Sequence, residues 1–240
     1  MKFFYILLAA LTMSGAGVLL WQETGKDKQR TKSENIVRDF HQSLIDRAKL
    51  DSKKEVRLPA AEGMPTPPYS IDDVINKFSL LHVMVKDKET IVEPYSFFYT
   101  WYKLEVLETL CRQELIGDTT QLDDIPSRFL PLLDSESLLK GRGGSIMVDG
   151  IRVIQGINQN EFWLEPGREY IIAANLENGG KLISPINMSS GVFQVENSNL
   201  KPLGRKNNKF VQAVESMMNN DLNRFRSEIQ ARQKRPKIDK

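Results

Sequence analysis

The chemistry open to this chain is bounded by its imidazoles and thiols: two histidines, His41 and His82, and one cysteine, Cys111. A serine or cysteine nucleophile needs a base within hydrogen-bond reach. His41 falls in a helical pattern and His82 inside the apolar run Leu81–Val85, and neither has a nucleophile motif beside it. Ser189-Ser190-Gly191 lacks the leading glycine of a nucleophile elbow. Gly141-Arg142-Gly143-Gly144 lacks the Gly-Lys-Ser/Thr end of a phosphate loop and reads as a turn entering a hairpin. Asp123, Asp124 and Asp134 do not have the spacing of an EF-hand loop, and one Cys with two His excludes a four-ligand zinc cage of cysteines or of paired Cys and His. No metal and no cofactor is therefore expected. The enzyme reading that survives is a hydrolase whose Asp and Glu meet from distant positions. It stands as the alternative to a non-catalytic binding or structural module.

A binding face has a better local signal. In the run Phe97–Leu107, alternation places Phe98, Thr100, Tyr102, Leu104 and Val106 on one side, which belongs in a core. Phe97, Tyr99 and Trp101 fall on the other side, before Lys103 and Glu105. Left open, this column would be an aromatic binding patch. The competing expectation is that an apolar face of a C-terminal helix covers it.

The elements that must position these residues are marked by period and punctuation. Thr31 and Glu34 stand in capping-box spacing, and Ile36, Val37, Phe40 and Leu44 recur at helical intervals, predicting a helix over 31–50. A charged, Pro-rich stretch with Pro59, Pro65, Pro67 and Pro68 reads as a linker over 51–69. Ser70 caps a short helix through Asp73, Val74 and Phe78, and opens a β-rich body over 70–206. Asp149-Gly150 tolerates the positive φ angles of a type I′ turn, and its two-residue loop sets Val148 opposite Ile151 and Ile146 opposite Val153. Tyr170–Ala174 is apolar on both faces, as in a central strand, while Leu182-Ile183, closed by Pro185, reads as an edge. Phe210, Val214, Met217, Met218, Leu222, Phe225 and Ile229 predict one amphipathic helix over 207–233, followed by a basic tail, 234–240. The fold class expected is mainly β with flanking helices, an antiparallel sandwich or partly closed barrel.

At the N-terminus, Phe3–Trp21 carries no formal charge and would span roughly 28 Å as a helix, enough to cross a bilayer. Residues 1–22 therefore read as a signal-anchor; cleavage at Ser14-Gly15-Ala16 would instead release a secreted form. The apolar residues continue past that site to Trp21, which favours retention. The body is then expected in the periplasm or outside the cell, although Lys26, Lys28, Arg30 and Lys32 after the span are the signature of a cytoplasmic flank. With 33 Lys+Arg against 31 Asp+Glu the net charge is +2, which gives no global field for nucleic acid. The expected partners are the membrane, through the N-terminal helix, and a protein.

Tyr99-Thr100-Trp101-Tyr102-Lys103, Gly143-Gly144, Asp149-Gly150, Gly167-Arg168-Glu169-Tyr170-Ile171 and Gly191-Val192-Phe193 together form an outline over about half the chain. In it the sequence resembles exported bacterial β-rich proteins with no assigned function. That resemblance implies a β body in a bacterial envelope and no catalytic residues.

Overall fold

The computed structural model describes residues 29–61, 69–93, 97–113, 125–157, 164–185, 191–203 and 208–234. The apolar segment 1–22, residues 62–68 of the Pro-rich stretch and most of the basic tail (235–240) lie outside the described residues. In chain order the elements begin with α1 (29–50), β1 (Glu55–Ala61), α2 (Ile71–Lys77), β2 (Ser79–Glu93) and β3 (Phe97–Cys111). There follow β4 (Glu136–Arg142), β5 (Gly144–Val148), β6 (Ile151–Ile157) and β7 (Glu169–Glu177). The last described elements are β8 (Leu182–Pro185), β9 (Val192–Glu196), β10 (Asn199–Pro202), α3 (Lys209–Met218) and α4 (Leu222–Gln233).

β2 and β3 form a long antiparallel hairpin whose register slips at Leu80/Leu81, His82/Val83 and Val85/Asp87. Such bulges bend a strand pair and raise its twist. The bend lets the first half of β2, Ser79–Met84, pair along its other edge with β7. β4 adds to the far side of β3, and β8 runs parallel to β4 while pairing antiparallel with the end of β7. The ring β7-β2-β3-β4-β8 thus closes on itself, and β9 and β10 leave it along the first half of β7. A mainly β fold with flanking helices is what forms, but the large sheet is mixed rather than antiparallel. β8 is not the edge that Pro185 suggests. Leu182 and Ile183 need cover on both sides, and pairing with β4 and β7 supplies it.

Inside the ring, alternate residues of the strands meet: Leu81, Val83, Val85, Tyr102, Leu104, Tyr170 and Ile172 are all nearly inaccessible. Burial pushes the Tyr102 and Tyr170 phenols above their usual range. Both hydroxyls remain bonded, Tyr170 accepting from the Glu165 amide at 2.9 Å.

The outer faces are covered separately. α2, α3 and α4 lie over Leu80, Cys111, Ile171 and Phe193. The helix α2 has the full capping box, Ser70 accepting from the Asp73 amide and Asp73 from the Ser70 amide, and the Ser70 hydroxyl and amide, both donating to the Asp73 carboxylate, hold it below its usual range. The expected single C-terminal helix is two: Asn219 and Asn220 adopt left-handed φ of 52° and 56°, and Asp221 caps α4. Asparagine tolerates that region where most residues do not. The apolar period survives the break, so Phe210, Val214, Met218, Leu222, Phe225 and Ile229 still bury together, while Met217 faces outward.

A second sheet, β1-β6-β5, packs with α1 against the far ends of β2 and β3 at Val92 and Phe98. Its hairpin has the register its loop dictates, Val148 with Ile151 and Ile146 with Val153, with Asp149 and Gly150 at φ of 50° and 80°. β1 corrects the linker: Glu55–Leu58 pairs in parallel with Arg152–Gln155, and Val56 and Leu58 reach the core. Pro59 is tolerated because β1 is the outer strand of its sheet.

The chain passes from the barrel to this sheet at Gly143-Gly144. A Cβ on Gly144 would lie 2.3 Å from Thr90 Cγ2 and 2.7 Å from Thr100 Oγ1. Neither threonine is free to turn away, because Thr100 donates to the Gly143 carbonyl at 2.9 Å and is bonded to Thr90 at 2.9 Å. Gly144→Ala should therefore cost about 1–3 kcal/mol, seen as a lower midpoint in urea unfolding. An unchanged midpoint would show that β5 does not cross β2 and β3 this closely.

Candidate functional site

β3 presents Phe97, Tyr99 and Trp101 on its outer side, but they do not form one open stripe. Phe97 is 49% exposed, Tyr99 is half-buried and Trp101 is 1% exposed. The cover over Trp101 is not the C-terminal helix, which lies at the opposite end of β3 over Leu110 and Cys111. Trp101 is packed beneath a strap, residues 125–135, whose Phe129 enters a cluster with Ile91, Leu138 and Leu182. The strap falls within the stretch between Arg112 and Arg142 that is too interrupted by Asp and Pro for a long helix. It contains one 3-10 turn, Ser127–Phe129.

Charges pin the strap at both ends. Arg128 bonds both Asp87 and Glu89, donates to the Lys88 carbonyl at 2.7 Å, and lies 4.8 Å above the Phe129 ring. At the other end Glu136 accepts from the Leu133 amide at 2.9 Å and meets Lys103 at 3.1 Å. Burial raises the Glu136 pKa, but the Leu133 amide and Lys103 outweigh it, so the carboxyl rests below its ordinary range. Lys181 donates to the Leu133 carbonyl at 2.7 Å and the Val106 amide to the Ser135 carbonyl at 2.8 Å.

Lys140, on β4, sits over the aromatic column. Its ammonium is 4.5 Å from the Tyr99 ring centre, 5.5 Å from that of Trp101 and 2.9 Å from the Glu93 carboxylate. A cation over aromatic faces is attracted by their quadrupoles, so the chain itself fills the place an external cation would take. Trp101 Nε1 is buried with no hydrogen-bond partner. What the column offers a partner is the Phe97 ring and the edge of Tyr99, bordered by Lys140 and the exposed Arg142. The sequence pattern identified the strand and its outer residues. Lys140 and Phe129 were missed, because only the register Trp101↔Lys140 and the strap's path bring them there.

The other candidates are structural. His82, nearly buried on β2, lies between Glu169 at 2.9 Å on Nε2 and Arg226 at 3.3 Å on Nδ1. Arg226 can only donate, so Nδ1 accepts and Nε2 carries the proton toward Glu169. Arg226 also meets Glu108 at 2.7 Å. Both ring nitrogens are thus engaged in tying α4 to β2, β3 and β7. His41 lies on α1, where burial lowers its pKa. Cys111 is buried, its thiol 3.3 Å from the Ile75 carbonyl. Asp123, Asp124 and Ser189 lie outside the described residues. Among the described residues no three His, Cys, Asp or Glu side chains gather as metal ligands would.

Several acids of the barrel strands and their flanking turns face cations: Glu93 with Lys140, Glu105 with Lys86, Glu165 with Lys88, and Asp87 together with Glu89 on Arg128. No protein-family model matches the chain, and no curated protein matches it.

Arg128→Ala would leave two carboxylates facing each other and free one end of the strap. With Trp21 and Trp163 replaced by Phe, acrylamide should quench Trp101 more strongly in this variant than in the parent, with a stability loss of about 1–3 kcal/mol. Equal quenching in both would mean that Arg128 does not hold the strap over Trp101.

Proposed function

We propose that this chain is a bacterial envelope protein, tethered through Phe3–Trp21, whose barrel stands outside the cytoplasm as a non-catalytic module contacting a protein partner at the Phe97–Tyr99 face. The observation that carries the non-catalytic part is the filled barrel: its interior is occupied by Tyr102, Tyr170 and their aliphatic neighbours, with no exposure above 2% among the buried members. A carboxylate pair working as acid and base needs two acids converging on a common void. Among the described residues of the barrel, Asp87 and Glu89 converge, and they do so on Arg128. The contact face is supported by a large aromatic left half exposed at the end of the β2–β3 hairpin, with cationic neighbours. Aromatic residues and Arg are enriched where proteins meet. The tether rests on the length and composition of the apolar run, and no helix among the described residues is long and apolar enough to cross a membrane.

The placement is tested by adding protease to intact bacteria and to spheroplasts expressing the full chain. Digestion of the body in spheroplasts is expected, and full protection there would end the outward placement. For the contact face, a photo-crosslinking phenylalanine analogue at position 97 should yield a discrete adduct that the same analogue at the exposed position 217 does not. Identical adduct patterns at both positions would remove the Phe97 face from the proposal.

A further inference from the structure

The helix α1 has a wider apolar sector than its sheet covers. At about 100° per residue, Val37, Ala48 and Ile45 point into the cluster with Leu58, Val148 and Val153. Ile36, Phe40 and Leu44 form the adjoining ridge, each four residues from the last, and Phe40 is 55% and Leu44 42% exposed. Lys32, Arg47 and the exposed Leu50 flank this ridge on its open side, and Asp39 and Asp46 lie further round. The opposite flank is fixed to the protein: Arg38 and Lys49 reach Asp149 at 2.8 and 3.0 Å from about three turns apart. The ridge therefore cannot roll inward to hide.

Its position in the chain says what meets it. The apolar run ends at Trp21 and α1 is helical by residue 29, so the segment between, Gln22–Lys28, can reach no more than roughly 25 Å fully extended. A chain anchored by Phe3–Trp21 holds the start of α1 within that distance of the bilayer. Lys26, Lys28, Arg30 and Lys32 fall along the approach and suit anionic headgroups. An amphipathic helix with a charged flank lies in the interface with its apolar face in the headgroup boundary.

We infer that α1 is a membrane-surface helix: the ridge Ile36–Phe40–Leu44, flanked by Lys32 and Arg47, lies on an anionic lipid surface and fixes how the barrel stands on the membrane. This rests on the tether reading and goes beyond it, because a tether alone leaves the body free to turn.

The full chain is reconstituted in phosphatidylcholine–phosphatidylglycerol vesicles with single nitroxide labels at Phe40→Cys, Leu44→Cys or the control Leu133→Cys. The buried Cys111 makes the unsubstituted chain the labelling blank. Labels at 40 and 44 should be open to oxygen and shielded severalfold from a water-soluble nickel chelate relative to the label at 133. If 40 and 44 meet the chelate as freely as 133 while the protein resists carbonate extraction, the surface helix is wrong and the tether stands. If carbonate strips the protein from the vesicles, the tether fails and this inference with it. Spin–spin broadening at 40 and 44 would overturn it too, by showing that a second copy occupies the ridge.

Discussion

Barrel closure depends on one strand serving two neighbours on the same edge. β7 gives residues Glu169–Ile172 to β9 and Ala174–Glu177 to β8. The change of partner falls at Ala173 and Ala174, with the Ala173 amide bonded to the Gly191 carbonyl at 2.7 Å and the position of a Gly191 Cβ only 3.0 Å from Ala173 Cβ. Small residues are required where two chains diverge from one edge. Without that divergence β8 could not reach β4, and the seam Leu138↔Leu182, Leu139↔Ile183 would not form. The cluster beneath the strap includes Leu138 and Leu182, so the covering of Trp101 depends on the same seam.

Charges then arrange what surrounds the ring. Exposed ion pairs contribute about 0–1 kcal/mol each, so their number explains little about stability. Their placement explains more. Arg128 binds two acids and a carbonyl of one strand, which fixes the path of a segment that has almost no secondary structure of its own. Asp149 occupies a left-handed turn position and also receives Arg38 and Lys49, whose hydrogen bonds hold its carboxyl below the ordinary range. Arg226 carries α4 onto two strands through Glu108 and His82. In each case a bidentate or shared group selects one docking geometry among those that apolar burial alone would permit.

Local rules made much of this fold legible in the sequence. The Asp149-Gly150 hairpin, the Ser70 cap, the central strand Tyr170–Ala174 and the inward face of β3 each follow from residues adjacent in sequence. The failures share a cause. β1 carries only Val56 and Leu58 as an alternating signal among charges and prolines, and becomes a strand because β6 offers a partner nearly a hundred residues away. β8 reads as an edge in the sequence because Pro185 is visible locally while its second neighbour is not. The break at Asn219-Asn220 left the apolar period intact, so periodicity did not reveal it. At the aromatic column the alternation is visible along β3, but Lys140 and Phe129 arrive through register and loop path, which no local pattern encodes.

The way the barrel is covered also limits which parts of its outer surface stay open. One outer face lies under α2–α4, another under the strap, and the far ends of β2 and β3 under α1 and the small sheet. Each cover is a segment of the chain itself, held by buried apolar contacts. Phe97 protrudes beyond these covers at the end of the β2–β3 pair, which is the ground for proposing it as a contact residue. The Val92 and Phe98 of that same hairpin end pack into the cluster that holds α1. The Phe97 end of the β2–β3 pair and α1 are thus joined through one block of side chains, so the orientation of α1 and the direction in which Phe97 points are coupled.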